Sequence, residues 1–253
     1  MPLQITCLLN GRETPICINM INVLYKDKFI IICEKPVNIL SEQQTNTKRT
    51  MPDILKKMSG AYKVDTIHRL DKMVGGTMVY SISSKATSVL SKMVRDHKIV
   101  KEYLAVVTGK PEEQSGEMCD ILFKDSKQGK SFVIKSMRKG AKDAKLEYET
   151  IATKDNNGTE VSLVKVRLHT GRTHQIRVQF SHRKMPLLGD GKYGSHDNGC
   201  FIALWSNHLK FDHPIKREVM DQYSFPPVNQ YPWKLFKVEI DNLKEKAYDL
   251  QES

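Results

Sequence analysis

The chain has 253 residues, 40% hydrophobic and 27% charged, so it can bury the core of one large domain or two small ones and has no compositional mark of disorder. Its net charge of +11 and pI near 9.3 favour a polyanionic partner, most simply nucleic acid, because neutralised phosphates release counterions. Five scattered cysteines (7, 17, 33, 119 and 200), none in a C-x-x-C pair, argue against a zinc site and a disulfide framework and fit a reducing cytoplasm. No apolar run has the length needed to cross a bilayer, and Met1 to Thr6 lacks the basic and apolar regions of a signal peptide.

Residues 1–22 read as a short leader with strand-like pieces around Asn10-Gly11. Phe29 to Cys33 is a β-branched run, a buried strand that stops at Glu34-Lys35-Pro36. Residues 41–50 are polar throughout and read as a mobile loop. A short helix is predicted from Met51 to Ser59, with Thr50 as N-cap and Gly60 closing it.

The stretch Ile67-His68-Arg69-Leu70-Asp71-Lys72 then sets one carboxylate among three basic groups. Gly75-Gly76 allows a tight turn, and Thr77 to Ile82 reads as a strand. Such a carboxylate suits either chemistry or a plain loop salt bridge, and the stretch alone leaves both open.

Lys85 to Asp96 is predicted as a helix capped by Ser84, with Ala86, Val89, Leu90, Met93 and Val94 forming a core-facing stripe. Lys101 to Val107 reads as a strand ending at Gly109-Lys110-Pro111, and residues 117–137 as two short strands. Leu146 to Ala152 and Val161 to Leu168 flank the hairpin signal Asp155-Asn156-Asn157-Gly158. In His169 to Phe180, Ile176, Val178 and Phe180 alternate as in a strand, yet Ile176 and Phe180 also meet at helical spacing behind a Thr173 cap. Either way Arg177 is separated from the apolar positions and is free to face a polar cleft. Pro186 to Gly194 is a glycine-punctuated loop, and a last strand is predicted from Phe201 to Trp205. Pro226, Pro227 and Pro232 mark a non-regular wrap, and the charged end from Lys237 to Ser253 is expected to fray. Many strands, short turns and few helices predict one α+β domain with a large, mostly antiparallel mixed sheet.

These stretches resemble the RluA-type pseudouridine synthases over residues 23–235. His68-Arg69-Leu70-Asp71 looks like that family's signature around a catalytic aspartate, and Tyr103, within Lys-Glu-Tyr-Leu-Ala-Val-Val-Thr-Gly, stands where the family carries an active-site tyrosine. Gly171-Arg172-Thr173-His174-Gln175-Ile176-Arg177, with Leu188-Gly189-Asp190 and Tyr193-Gly194, resembles the third motif, whose second arginine pairs with the catalytic carboxylate. Lys35-Pro36 and Leu209-Lys210-Phe211-x-His213-Pro214 also fit. Three departures stand out: Val74-Gly75-Gly76 replaces the usual Thr-Ser-Gly, Val37-Asn38 follows Lys-Pro, and Leu204-Trp205 stands for Leu-His.

The resemblance implies a pseudouridine-synthase-like α+β domain at 23–235, preceded by the leader at 1–22 and followed by a tail at 236–253. It implies an isomerase that converts uridine in rRNA or tRNA to pseudouridine, with Asp71, Tyr103 and Arg177 as its catalytic residues. Arg69, His68, Lys72, Arg172, His174 and Lys192 are RNA-binding candidates, with Arg183 and Lys184 further phosphate contacts. Neither cofactor nor metal is expected, because nothing is oxidised and no group is added. The expected protein is a cytoplasmic monomer whose catalytic domain recognises RNA without an S4-type module. The rivals are an inactive RNA-binding or chaperone protein of the same fold, a basic ribosome-associated protein, and a metal-dependent nuclease using Asp65, Asp71 and Asp190.

Overall fold

Strand formation here follows the β-branched and aromatic runs, and helices fill the few amphipathic gaps. The computed structural model describes residues 4–9, 12–17, 21–45, 47, 50–197 and 199–252; Asn10-Gly11, around which the leader's strand-like pieces are expected, lies outside them. The chain divides into two compact units, Met1–Ile99 with Leu209–Ser224, and Val100–His208 with Phe225–Ser253.

In the first unit, β1 (Gln4–Leu9) and β2 (Arg12–Cys17) form an antiparallel pair. They are followed by β3 (Val23–Lys26), β4 (Ile30–Lys35), α1 (Met51–Ser59), β5 (Asp65–Thr66), β6 (Gly75–Ser81) and α2 (Ser84–Arg95). β4 lies between β3 and β6, so Ile30 to Cys33 are buried on both faces, as a continuous apolar run requires. Its antiparallel register sets Ile30 opposite Ser81 and Lys35 opposite Gly76. α1 has the predicted ends: Thr50 accepts from the Asp53 N–H, and Gly60 closes the helix at φ 71°. α2 begins one residue earlier than predicted, with Ser83 rather than Ser84 at the N-cap position. The Thr87 N–H and hydroxyl both donate to the Ser83 carbonyl, which draws Ser84 into the first turn. Ala86, Leu90 and Met93 are buried in one core with Ile30, Ile32, Val79, Leu209 and Phe211, and Val89 and Val94 pack partly against it.

In the second unit, β7 (Val100–Thr108), β8 (Ser115–Asp125), β9 (Lys130–Ile134), β10 (Ala141–Asn156), β11 (Thr159–Leu168) and α3 (Gln175–His182) come in chain order. β12 (Leu204–Asp212) gives its first half to this unit and its second half to the other, where β13 (Val219–Tyr223) pairs with it. The strand order here is β12-β7-β11-β10-β8-β9, and in the first unit β3-β4-β6-β12 with β5 beside β6. The predicted α+β class with a large, mostly antiparallel sheet holds. The β10–β11 hairpin turns at Asn157 and Gly158, both at positive φ, with the Asp155 carboxylate accepting from the Gly158 N–H.

Three predictions are corrected. His169 to Phe180 resolves as a helix from Gln175, but its N-cap position is His174 at φ 55°, not Thr173. The strand expected from Phe201 to Trp205 begins at Leu204 and runs on to Asp212 as β12, its buried Ser206, Asn207 and His208 breaking the apolar pattern, and the last strand is β13. The chain end is a helix, α4 (Lys237–Glu252), whose Ile240 and Ala247 are buried. Ile240 packs with Leu104, Val106, Leu163, Trp233 and Phe236, and Lys154 bridges to Glu239.

Gly189 lies where only glycine fits. Its φ is +75°, and a Cβ would come within 2.4 Å of the Phe201 carbonyl oxygen. Gly189→Ala is therefore expected to destabilise the protein by about 3 kcal/mol or more, read as a lowered urea midpoint at unchanged m-value.

Candidate active site

In the first unit the Asp71 turn is held from several sides. The Val74 N–H donates to the Asp71 carbonyl across the turn. Leu70 makes a reciprocal pair with Ser41: its N–H donates to the Ser41 hydroxyl (3.0 Å), which donates to the Leu70 carbonyl (2.6 Å). His68 is buried, and its Nε2 accepts from the Val79 N–H of β6 (3.2 Å), which leaves the ring proton on Nδ1. Where the family usually carries two hydroxyls, this chain has Val74 and Gly75, both buried; Val74 packing and the φ of +115° at Gly76 shape the turn instead.

Sequence reasoning noted Lys35 only as part of a motif. It is fully buried, and its ammonium donates to three backbone carbonyls: Pro36 (2.8 Å), Ile39 (2.8 Å) and Lys72 (3.2 Å). Burial pushes its pKa down to about 7; the Asp71 carboxylate opposes that shift and Lys72 adds to it. Arg69 and Lys72 turn their side chains outward, Arg69 meeting Glu42 at 3.0 Å.

In the second unit, Tyr103 is buried on β7 opposite Val166. Its neighbour Glu102 meets Lys165 at 2.9 Å and His208 at 3.0 Å. Burial raises the Glu102 pKa, but the bonds from His208 and Lys165 outweigh it and hold the carboxyl at about 2. Arg177, on α3, is buried rather than facing open solvent. It forms a two-pronged ion pair with Asp190, Nε to Oδ2 at 2.7 Å and Nη2 to Oδ1 at 2.8 Å. The guanidinium also lies over the Tyr193 ring, 5.1 Å from its centre. The Tyr193 hydroxyl accepts from the Ser131 N–H and meets His174 Nδ1 at 2.9 Å. Asp190 and Tyr193 are therefore partners of Arg177 in the second unit; the sequence marked both as motif letters, and Asp190 also as a ligand in the nuclease rival.

The RNA-binding candidates separate by surroundings. His68 and His174 are engaged within the protein, by Val79 and Tyr193. Arg172 donates to the Asp143 carbonyl, and Lys192, exposed, to the Gly129 carbonyl.

Two outcomes test this construction. A lysine whose folded pKa lies near 7 binds fewer protons than the unfolded chain between about 7 and its ordinary 10.5, so its contribution to stability rises with pH across that window. Urea unfolding from pH 6 to 9 is expected to show wild type gaining on Lys35→Met above pH 7, with a flat difference below it. Asp190→Asn removes the charge matched to a buried guanidinium and is expected to cost about 3–5 kcal/mol in the same assay.

Comparison with known proteins bears out the resemblance. A family model described as RNA pseudouridylate synthase matches residues 29–182. An RNA pseudouridine synthase of Aquifex aeolicus is 31% identical over 246 residues, covering 90% of this chain and 72% of the relative. A protein of Haemophilus influenzae named tRNA pseudouridine synthase C is 28% identical, with 85% and 99% covered. The structure of human RNA Pseudouridylate Synthase Domain Containing 1 superposes with a TM-score of 0.71 at 20% identity, over 87% of this chain and 88% of that one, a likeness of fold. The motif order, the α+β sheet and these matches lead to one conclusion: the chain belongs to the RNA pseudouridylate synthase family, isomerases that convert uridine in RNA to pseudouridine.

Proposed function

We propose that the chain isomerises uridine in tRNA, with Asp71 as the essential carboxylate, Tyr103 packed on the uracil and Arg177 as the ion-pair partner of Asp71. The observation that carries the reading is the construction around Asp71, where a buried ammonium, a buried histidine and a reciprocal serine pair fix one turn. A surface salt bridge has no need of such support. Relatives named tRNA pseudouridine synthase C, matched over 98–99% of their length, support tRNA as the substrate. Residues 23–235 form the catalytic body in this reading, and the protein acts as a cytoplasmic monomer.

The reaction breaks the N1–C1′ bond of uridine, turns the base over and forms a C5–C1′ bond; the proton leaving C5 balances the one gained at N1. Asp71 serves it by attack on C1′ or by taking the C2′ proton. The uridine must leave its stack, at a cost of about a few kcal/mol that is smallest in a loop. Arg69, Lys72, Arg172 and Lys192 supply phosphate contacts, with His68 and His174 shaping the loops that carry them.

Pseudouridine mapping on unmodified tRNA and rRNA transcripts, with chelator present, tests this. Wild type is expected to modify one or few tRNA uridines, Asp71→Asn to fall by about 10⁴-fold or more, and Tyr103→Phe to retain binding with reduced turnover. Undiminished turnover by Asp71→Asn would overturn the assignment of the carboxylate. Modification confined to rRNA would move the substrate, and RNA binding without turnover on any transcript would favour the inactive RNA-binding protein.

A further inference from the structure

Within the first unit an open groove of about 760 Å³ lies between the 41–50 loop and the C-terminal end of α1. Polar and cationic groups rim a surface that is largely apolar: Gln43, Gln44 and Thr45 come from the loop, and Lys56, Lys57 and Tyr62 from α1 and the segment after it. Of the acids nearby, Asp53 is drawn to the start of α1 by the Thr50 hydroxyl and Glu42 is paired with Arg69. Tyr62 is 92% exposed, and Lys56 stands over its ring at 5.4 Å. A tyrosine so exposed contributes little to the core, and the ring face away from Lys56 is open for stacking. The groove falls in the range that buries a small organic ligand, about 300–1,000 Å³.

The groove is tied to the Asp71 turn. Its loop wall begins at Ser41 and Glu42, which bond to Leu70 and Arg69, the two residues before Asp71. The Ser41 carbonyl also accepts from Thr66 and Tyr80. The loop that walls the groove is thus bonded to the turn that carries Asp71.

We propose that the groove seats one or two unpaired nucleotides flanking the target uridine. A base stacks on Tyr62, Gln43 and Gln44 hydrogen-bond its edge, and Lys56 and Lys57 hold the phosphates. The chemistry matches single-stranded RNA: every base has a face for an aromatic ring, a glutamine amide both donates and accepts as base edges do, and ammonium groups replace counterions. This deepens the reading of Asp71 as the reacting centre and makes the groove a reader of sequence context.

The test measures binding without turnover, so it does not depend on catalysis. In the Asp71→Asn protein, binding of a dye-labelled 12-nucleotide single-stranded RNA of mixed sequence is followed by anisotropy from 50 to 200 mM salt, with the matching duplex as comparison. Tyr62→Ala is expected to weaken single-strand binding about tenfold, Tyr62→Phe to keep it, and the duplex to be little affected. Lys56→Gln with Lys57→Gln is expected to lower the salt slope by about 1.4, or 0.7 per phosphate contact. All these positions are exposed, so unchanged melting temperatures establish that the variants fold. Wild-type affinity in Tyr62→Ala, or an unchanged salt slope in the double lysine variant, would overturn the proposal, whatever the outcome of uridine mapping.

Discussion

An ammonium taken out of water must be given acceptors in its place, and the first unit is arranged around that requirement at Lys35. The β4–β6 register sets Lys35 opposite Gly76, at the end of β4 where the chain leaves the sheet. From there Nζ reaches the carbonyls of Pro36 and Ile39 on the segment after β4, and that of Lys72 on the turn carrying Asp71. Three donors meet three acceptors, so both chain reversals are fixed by one atom. Arginine would present a planar fork where the carbonyls converge on a point. The buried run Ile30 to Cys33 anchors the strand against the cost of burying the charge.

The second unit meets a similar requirement by the opposite means. Arg177 is buried on α3 and is matched by a carboxylate of the same planar shape, at Asp190. That arrangement works only if Asp190 cannot drift. Its loop is held to the sheet by the Leu188 N–H on the Val106 carbonyl and the Ala203 N–H on the Leu188 carbonyl, with Gly189 allowing the close approach between them. Tyr193 closes the pair from the ring face and carries the constraint on to Ser131 and His174. Desolvation makes removal of a single partner far more disruptive than the net worth of the pair.

The sequence was legible where one local rule dominated. Phe29 to Cys33 could only be a buried strand, Thr50 and Gly60 bracket a helix by capping chemistry, and Asp155 to Gly158 demands a tight turn. It was illegible where burial contradicted polarity. Every residue of α3 from Gln175 to Phe180 is buried, so there was no polar face to reveal the helical period. The Gln175 and Gln179 side-chain NH2 groups donate to the Lys145 and Met118 carbonyls, contacts that only the tertiary structure creates. The same reasoning hid β12 behind Ser206, Asn207 and His208. For the candidate site, motif order nominated Asp71, Tyr103 and Arg177, but the bond from Lys35 to the Asp71 turn spans 37 residues and leaves no local pattern. The 41–50 loop read as an undifferentiated polar stretch, because polarity does not say that Ser41 is buried against Leu70 while Gln43 and Gln44 stand out.

This division between buried and exposed charge decides what the net charge of +11 does. Lys35 and Arg177 are buried, against carbonyls and beside Asp190, and attract nothing from a distance. The lysines at Lys56, Lys57, Lys72 and Lys192 are exposed, where their field reaches about 8 Å at physiological salt. Such a field gathers any polyanion and cannot tell one uridine from another. Discrimination has to come from contacts shorter than the screening length, made to the faces and edges of the bases themselves. Exposed cations act at a distance on any polyanion, whereas buried ones act only through the groups they touch.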